Sequence, residues 1–135
     1  MKIDQAYLKQ LLNGFLTSER SFAWPNELLP PDQEEYDDKF LFHMQILEDQ
    51  GFIECLDRRQ DLGYEITLGG EFIWHSRPLR LTAAGHEFLE ALNRSEIWEV
   101  IKAEFQDASV STLTTAAKGL LEAFARKQIK KYLDV

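Results

Sequence analysis

A mostly helical α+β fold with a small antiparallel sheet is what the sequence predicts, on three observations. Apolar residues recur three and four apart in five separate stretches, the mark of helices with one buried face. One central stretch, 52–81, switches to short apolar runs and apolar–polar alternation, the mark of strands. Pro25, Pro30 and Pro31 fall between the helical stretches, and the Gly69-Gly70 pair and Pro78 divide the strand stretch. With 135 residues, 44% apolar and 28% charged, the chain is expected to form a single domain, 1–135. A domain of this size buries about two-thirds of its unfolded surface and needs neither a disulfide nor a metal to fold.

The first helix is expected over 4–16, capped by Asp4, with Leu8, Leu11, Leu12 and Phe15 on one face. Ser18, Ser21, Pro25, Pro30 and Pro31 break the pattern, although 25–29 suits one short helical turn with Pro at its start. A strong helix is expected from a cap at Asp32 through 33–50. Acids at 34 and 35 suit the positive end of its dipole. Tyr36, Phe40, Met44 and Leu47, widened by His43, form its buried stripe, and Gly51 ends it in the left-handed conformation.

Residues 52–56 read as a strand and 57–63 as a polar connection. Residues 64–68 alternate as a strand with one solvated face, Gly69-Gly70 suits a two-residue turn, and 71–76 return antiparallel. Pro78 disfavours a central ladder position, and 79–81 form a last short strand. Thr82 is expected to cap the next helix through the N–H of Gly85, with Phe88, Leu89 and Leu92 inward. Ser95 is expected to cap a further helix with Ile97, Trp98, Ile101 and Phe105 inward. The last helix is expected over 111–133, with Leu113, Ala116, Ala117, Leu120, Leu121, Phe124, Ile129 and Leu133 along it.

The order helix, short helix, helix, hairpin, then three helices is that of a winged helix-turn-helix with a C-terminal helical extension. Two junctions carry that reading. At Leu47-Glu48-Asp49-Gln50-Gly51-Phe52-Ile53 a helix ends on Gly and turns straight into the β-wing. At Leu81-Thr82-Ala83-Ala84-Gly85 the last wing strand stops on a capping Thr, and small residues let the next helix sit close to the sheet. Phe42-His43-Met44 with Leu47, then Leu81-Thr82 through Gly85-His86-Glu87-Phe88-Leu89, then Ile97-Trp98 and Lys102, resemble a prophage-associated bacterial family catalogued only as a domain of unknown function. The resemblance covers residues 4–130 and is sharpest from Leu81 to Lys102. It implies a winged-helix core over 4–81, a helical extension over 82–135 and a phage or prophage setting, and it carries no catalytic residues. Residues 18–31 and 63–75 look longer than in the family pattern.

Charge narrows the function. The net value of −8 comes from 15 Lys and Arg against 23 Asp and Glu. Residues 32–57 alone sum to −8, 58–81 to +1, 82–108 to −4 and 109–135 to +3. In the usual winged-helix mode the second helix of the motif enters the major groove and presents Arg or Lys. Here it carries Glu34, Glu35, Asp37, Asp38, Glu48 and Asp49 against Lys39 alone. Affinity for duplex DNA comes largely from cations that displace counterions. A carboxylate about 4 Å from a phosphate costs on the order of 1 kcal/mol in water. These six acids therefore mark the expected protein-binding face.

The alternative is a DNA-binding regulator that grips phosphates with the wing arginines Arg58, Arg59, Arg77 and Arg80. The last helix, with Leu113, Leu120, Leu121 and Phe124 on its apolar side and Lys118, Arg126, Lys127, Lys130 and Lys131 along it, is a candidate dimer helix. It is complementary in charge to the acidic helix. In a phage setting an acidic surface can also imitate DNA and occupy a basic groove on a host protein. The bland readings are a solvated acidic helix face, a charged wing edge and favourable charge near a helix C-terminus.

Nothing in the sequence points to an enzyme. His43, His75 and His86 have no metal-site spacing, and His86-Glu87 lacks the second His of a zinc-protease helix. No phosphate-binding loop and no Gly-x-Ser-x-Gly occurs. Packing is the expected role of His43, and of Trp24, Trp74 and Trp98, with Trp24 beside Pro25 a candidate exposed anchor. No cofactor or small-molecule ligand is expected. The single Cys55 excludes an intramolecular disulfide and fits a reducing compartment. With no membrane-spanning run and no signal-peptide pattern, the expected location is cytoplasmic.

Overall fold

Among the described residues, 1–133 of a computed structural model, the elements run α1 (Gln5–Leu16), α2 (Pro25–Leu28), α3 (Asp38–Asp49), β1 (Ile53–Cys55), β2 (Tyr64–Ile66), β3 (Phe72–Trp74), β4 (Leu79–Leu81), α4 (Ala83–Leu92), α5 (Ser95–Glu104) and α6 (Val110–Leu133). The fold is α+β and mostly helical, as the periodicities predict. The chain divides into two compact units, Met1–His86 and Glu87–Val135. That division falls five residues past the boundary expected between core and extension.

In the first unit α1 forms where expected. Asp4 caps it, its carboxylate accepting from the N–H of Tyr7 at 3.0 Å. Leu8, Leu11, Leu12 and Phe15 are buried, and Tyr7 joins them. The short α2 starts on Pro25, and Glu27 accepts from the N–H of Trp24 at 2.9 Å. The next helix starts five residues later than the sequence suggests. Asp37, not Asp32, is its cap, accepting from the N–H of Phe40 at 2.8 Å. Tyr36 still packs, its ring 5.2 Å from Phe40 and 5.4 Å from Trp74, but from an extended approach segment rather than a helical turn. Phe40, Met44, Leu47 and His43 are buried as expected, and Gly51 follows the helix at φ 70°.

Two small antiparallel sheets follow. β1 pairs with β4 in the register Ile53↔Leu81, Glu54↔Arg80, Cys55↔Leu79. Ala23 adds a third position beside β4, exchanging both backbone hydrogen bonds with Leu79 at 2.8 and 2.9 Å. β2 pairs with β3 as a separate hairpin, Tyr64↔Trp74 to Ile66↔Phe72. Its turn differs from the expected two-residue form. The N–H of Thr67 donates to Glu71 and that of Gly70 to Thr67, and only Gly70 of the glycine pair has positive φ, at 84°. This is a three-residue loop closed by a left-handed glycine.

Thr82 joins the two junctions. Its hydroxyl oxygen accepts from the N–H of Gly85 at 3.1 Å, and its O–H donates to the carbonyl of Gly51 at 2.5 Å. A Cβ on Gly85 would lie 2.2 Å from the Phe52 carbonyl oxygen, so only glycine lets α4 start this close to the strand.

In the second unit Phe88, Leu89, Ala91, Leu92, Ile97, Ile101, Leu113 and Ala117 are buried, and α5 packs on α6. Ser95 is the first helical residue of α5 rather than its cap, a position held by Arg94 with no side-chain cap bond. Trp98 and Phe105 keep part of their surface exposed. α6 starts one residue early because the Ser109 hydroxyl accepts from the N–H of Thr112 at 3.2 Å.

Candidate protein-binding surface

The site is built on α3 and the segment before it, and a buried polar anchor fixes both. His43 is fully buried. Its Nδ1 lies 2.7 Å from the Lys39 carbonyl, and its Nε2 accepts from the backbone N–H of Asp4 at 2.9 Å. That pairing requires the neutral ring with its proton on Nδ1. Burial is the main reason its pKa sits below the usual value. The Tyr7 ring lies 4.9 Å away, and its hydroxyl donates to Gln33 at 2.9 Å. Burial, with the Asp37 charge second, pushes the Tyr7 phenol up to about 12. Histidine packing was legible in the sequence. Its partner was not, because Asp4 lies 39 residues away.

This anchor removes the sole cation of α3 from use. Lys39 Nζ lies 2.9 Å from the Asp4 carboxylate and 4.7 Å from the centre of the Tyr7 ring. The ammonium hydrogen bond, then the N–H of Tyr7, holds Asp4 below the usual carboxylate range. The outward line of α3 reads Asp38, Phe42, Gln45 and Asp49, at helical spacings of four, three and four. Gln45 donates to the Tyr64 hydroxyl at 2.9 Å, which ties this line to the β2–β3 hairpin.

The six predicted acids fall into two groups. Glu34, Glu35, Asp37 and Asp38 are exposed around the start of α3; Glu48 and Asp49 lie at its end. Eleven residues separate Asp38 from Asp49, about 16 Å along the axis. Among the described residues, none of the six has a Lys, Arg or His partner within 4 Å. Glu48 is partly buried, and burial, then the charges of Asp49 and Asp61, raise its pKa.

The wing arginines are placed differently from one another. Arg59 pairs with Asp57 at 3.1 Å, Arg77 with Asp61 at 2.5 Å, and Arg80 with Glu54 across the β1–β4 ladder. Among the described residues only Arg58 of the four has no acidic partner, and it sits at φ 63° in an exposed turn. The four therefore do not form one free cationic patch.

Along α6 the residues of the expected dimer face differ in burial. Leu113 is 1% exposed and belongs to the chain's own core. Leu120, Leu121 and Phe124 are half-buried, with the Arg94 guanidinium 4.2 Å above the Phe124 ring. Ile129 and Leu133, the last apolar residues expected along the helix, are 55% and 71% exposed, and Tyr132 is 86% exposed. A signal was present: the five-residue step from Phe124 to Ile129 turns about 140° off the stripe. Lys118, Arg126, Lys127, Lys130 and Lys131 are exposed and, among the described residues, have no acidic partner.

Among the described residues no group of three or more His, Cys, Asp or Glu side chains is placed to hold a metal ion, and no helix is long and apolar enough to cross a membrane. Cys55 is buried, its thiol donating to the Asp61 carbonyl, and burial raises its pKa. A family model described as hypothetical protein (DUF2513) matches residues 8–111, a span that ends just inside α6. No curated protein and no solved structure matches the chain.

Proposed function

The chain belongs to this family of hypothetical proteins, DUF2513, and we propose that it is a non-enzymatic binding module whose acidic face docks on a basic surface of a protein. The reading places it in the cytoplasm, in a phage or prophage setting, with a winged helix-turn-helix core. The order α1, Ala23 strand position, α2, α3, β1, hairpin, β4 supports that core, with Ala23, β4 and β1 as its three-stranded sheet.

One observation carries the preference for protein over nucleic acid. The helix that would enter a groove presents unneutralised carboxylates, while its single lysine is held by Asp4. A phosphate backbone meets repulsion there, and a lysine- or arginine-rich protein surface meets attraction that salt weakens. The alternative, a DNA-binding regulator acting through Arg58, Arg59, Arg77 and Arg80, rests on Arg58, whose guanidinium makes no ion pair among the described residues.

Fluorescence anisotropy separates the two. At low salt the chain is expected to bind a labelled lysine- and arginine-rich helical peptide and not a labelled mixed-sequence duplex. Glu34→Lys with Glu35→Lys and Asp38→Lys should weaken the peptide complex at least about tenfold. Duplex binding that Arg58→Ala with Arg59→Ala abolishes would establish the alternative instead.

A further inference from the structure

The last thirteen residues of α6 carry an amphipathic surface that the chain's own core uses only at its start. Leu121, Ala125, Ile129 and Tyr132 follow one another at spacings of four, four and three, a single line along the helix. The line is half-buried at Leu121 and open at Ile129 and Tyr132. Arg126, Lys127, Lys130 and Lys131 occupy the neighbouring face, exposed and without acidic partners among the described residues. Residues 110–133 hold five bases and one acid, for +4, whereas residues 1–86 hold eight bases and fifteen acids, for −7.

We propose that this half-helix docks on the acidic α3 surface of a second copy of the chain. The inference rests on the acidic-face reading above and names its basic partner. The complement is present in the same sequence. Glu34, Glu35, Asp37, Asp38 and Asp49 are exposed and, among the described residues, have no Lys, Arg or His partner, and Phe42 offers a half-buried apolar surface on the line between Asp38 and Asp49. Pairing α6 with α6 in parallel would set four cations against four. Pairing it with the acidic surface sets cations against carboxylates and Ile129 and Tyr132 against Phe42. A two-fold axis repeats the contact, each copy giving one helix and receiving one.

Analytical ultracentrifugation of the full chain from about 20 mM to about 500 mM salt tests this, since screening grows several-fold across that range. The expected result is a dimer at low salt whose dissociation constant rises at least about tenfold at high salt. Lys127→Glu with Lys130→Glu and Lys131→Glu should be monomeric throughout, as should Glu34→Lys with Glu35→Lys and Asp38→Lys. Mixing the two variants should restore a heterodimer through the two reversed surfaces. Circular dichroism confirms that both are folded.

A monomer under every condition overturns the inference, as does a dimer that the α6 reversal leaves intact. Binding of the helix to phosphatidylglycerol vesicles without dimerisation also overturns it. If dimerisation fails but the basic peptide still binds, the acidic-face reading survives and only this partner is wrong.

Discussion

His43 is the residue on which the position of the acidic face turns, because it fastens the start of α1 to α3 through a hydrogen bond that exists only in the neutral ring. Protonation would turn Nε2 into a donor facing the Asp4 N–H. Asp4 and Asp37 favour the charged ring and Lys39 opposes it, but burial is the largest effect and lowers the folded pKa below the unfolded value of 6.5. The stability from this pairing is therefore complete above pH 6.5 and is lost as pH falls through the lowered folded value. Urea unfolding from neutral to mildly acidic pH should reveal that loss. His43→Leu, which orphans the Asp4 N–H, should cost about 1–3 kcal/mol at neutral pH and flatten the histidine part of the profile. An unchanged profile would mean the ring is not buried neutral. Gly85→Ala makes a second test at this scale. Its Cβ meets the Phe52 carbonyl at 2.2 Å, so the backbone must shift, at a cost of about 1–3 kcal/mol measured by thermal or chemical unfolding.

Caps decide where the elements begin, and two of them can be tested. Asp37→Ala removes the acceptor for the Phe40 N–H and should cost about 1 kcal/mol, whereas Asp32→Ala should cost close to nothing. Thr82→Val removes both the cap of α4 and the bond to Gly51; the expected loss is about 1–2 kcal/mol in denaturant midpoints. The same two helices mark how far the sequence could be read. At Thr82 a single capping residue follows an apolar strand, and the junction was legible to the residue. Before α3, Asp32, Asp37 and Asp38 all suit a cap, and local chemistry cannot rank them. Pro30 to Gln33 close a turn, the Gln33 N–H donating to the Pro30 carbonyl at 2.9 Å, and Tyr36 reaches Phe40 and Trp74 without a helical turn beneath it. The acids themselves were legible. What neutralises each arginine was not: Arg77 meets Asp61 sixteen residues away, and Arg80 meets Glu54 through a ladder whose register only the fold fixes.

At the scale of the whole molecule the sequence separates stability from surface. The charge of −8 resides almost entirely in residues 1–86, which sum to −7, while 87–135 hold seven bases against eight acids. Within that nearly neutral second unit the cations gather at the far end of α6, beyond the last buried residue of the helix, Ala117. The family match stops at residue 111, so this charged end lies outside the part of the chain it covers. Residues 129–133 are all exposed and make no ion pair with an acid among the described residues. Deleting 129–135 should therefore leave unfolding free energy within about 0.5 kcal/mol of the parent, since exposed positions away from caps and cores contribute little. The same deletion removes Ile129, Lys130, Lys131 and Tyr132 from the proposed contact, and the low-salt dimer should be lost. Equilibrium denaturation and sedimentation on one preparation read both outcomes. A large fall in stability would place this segment in the folding core and remove it as a free docking surface; unchanged stability with dimerisation abolished assigns it to recognition.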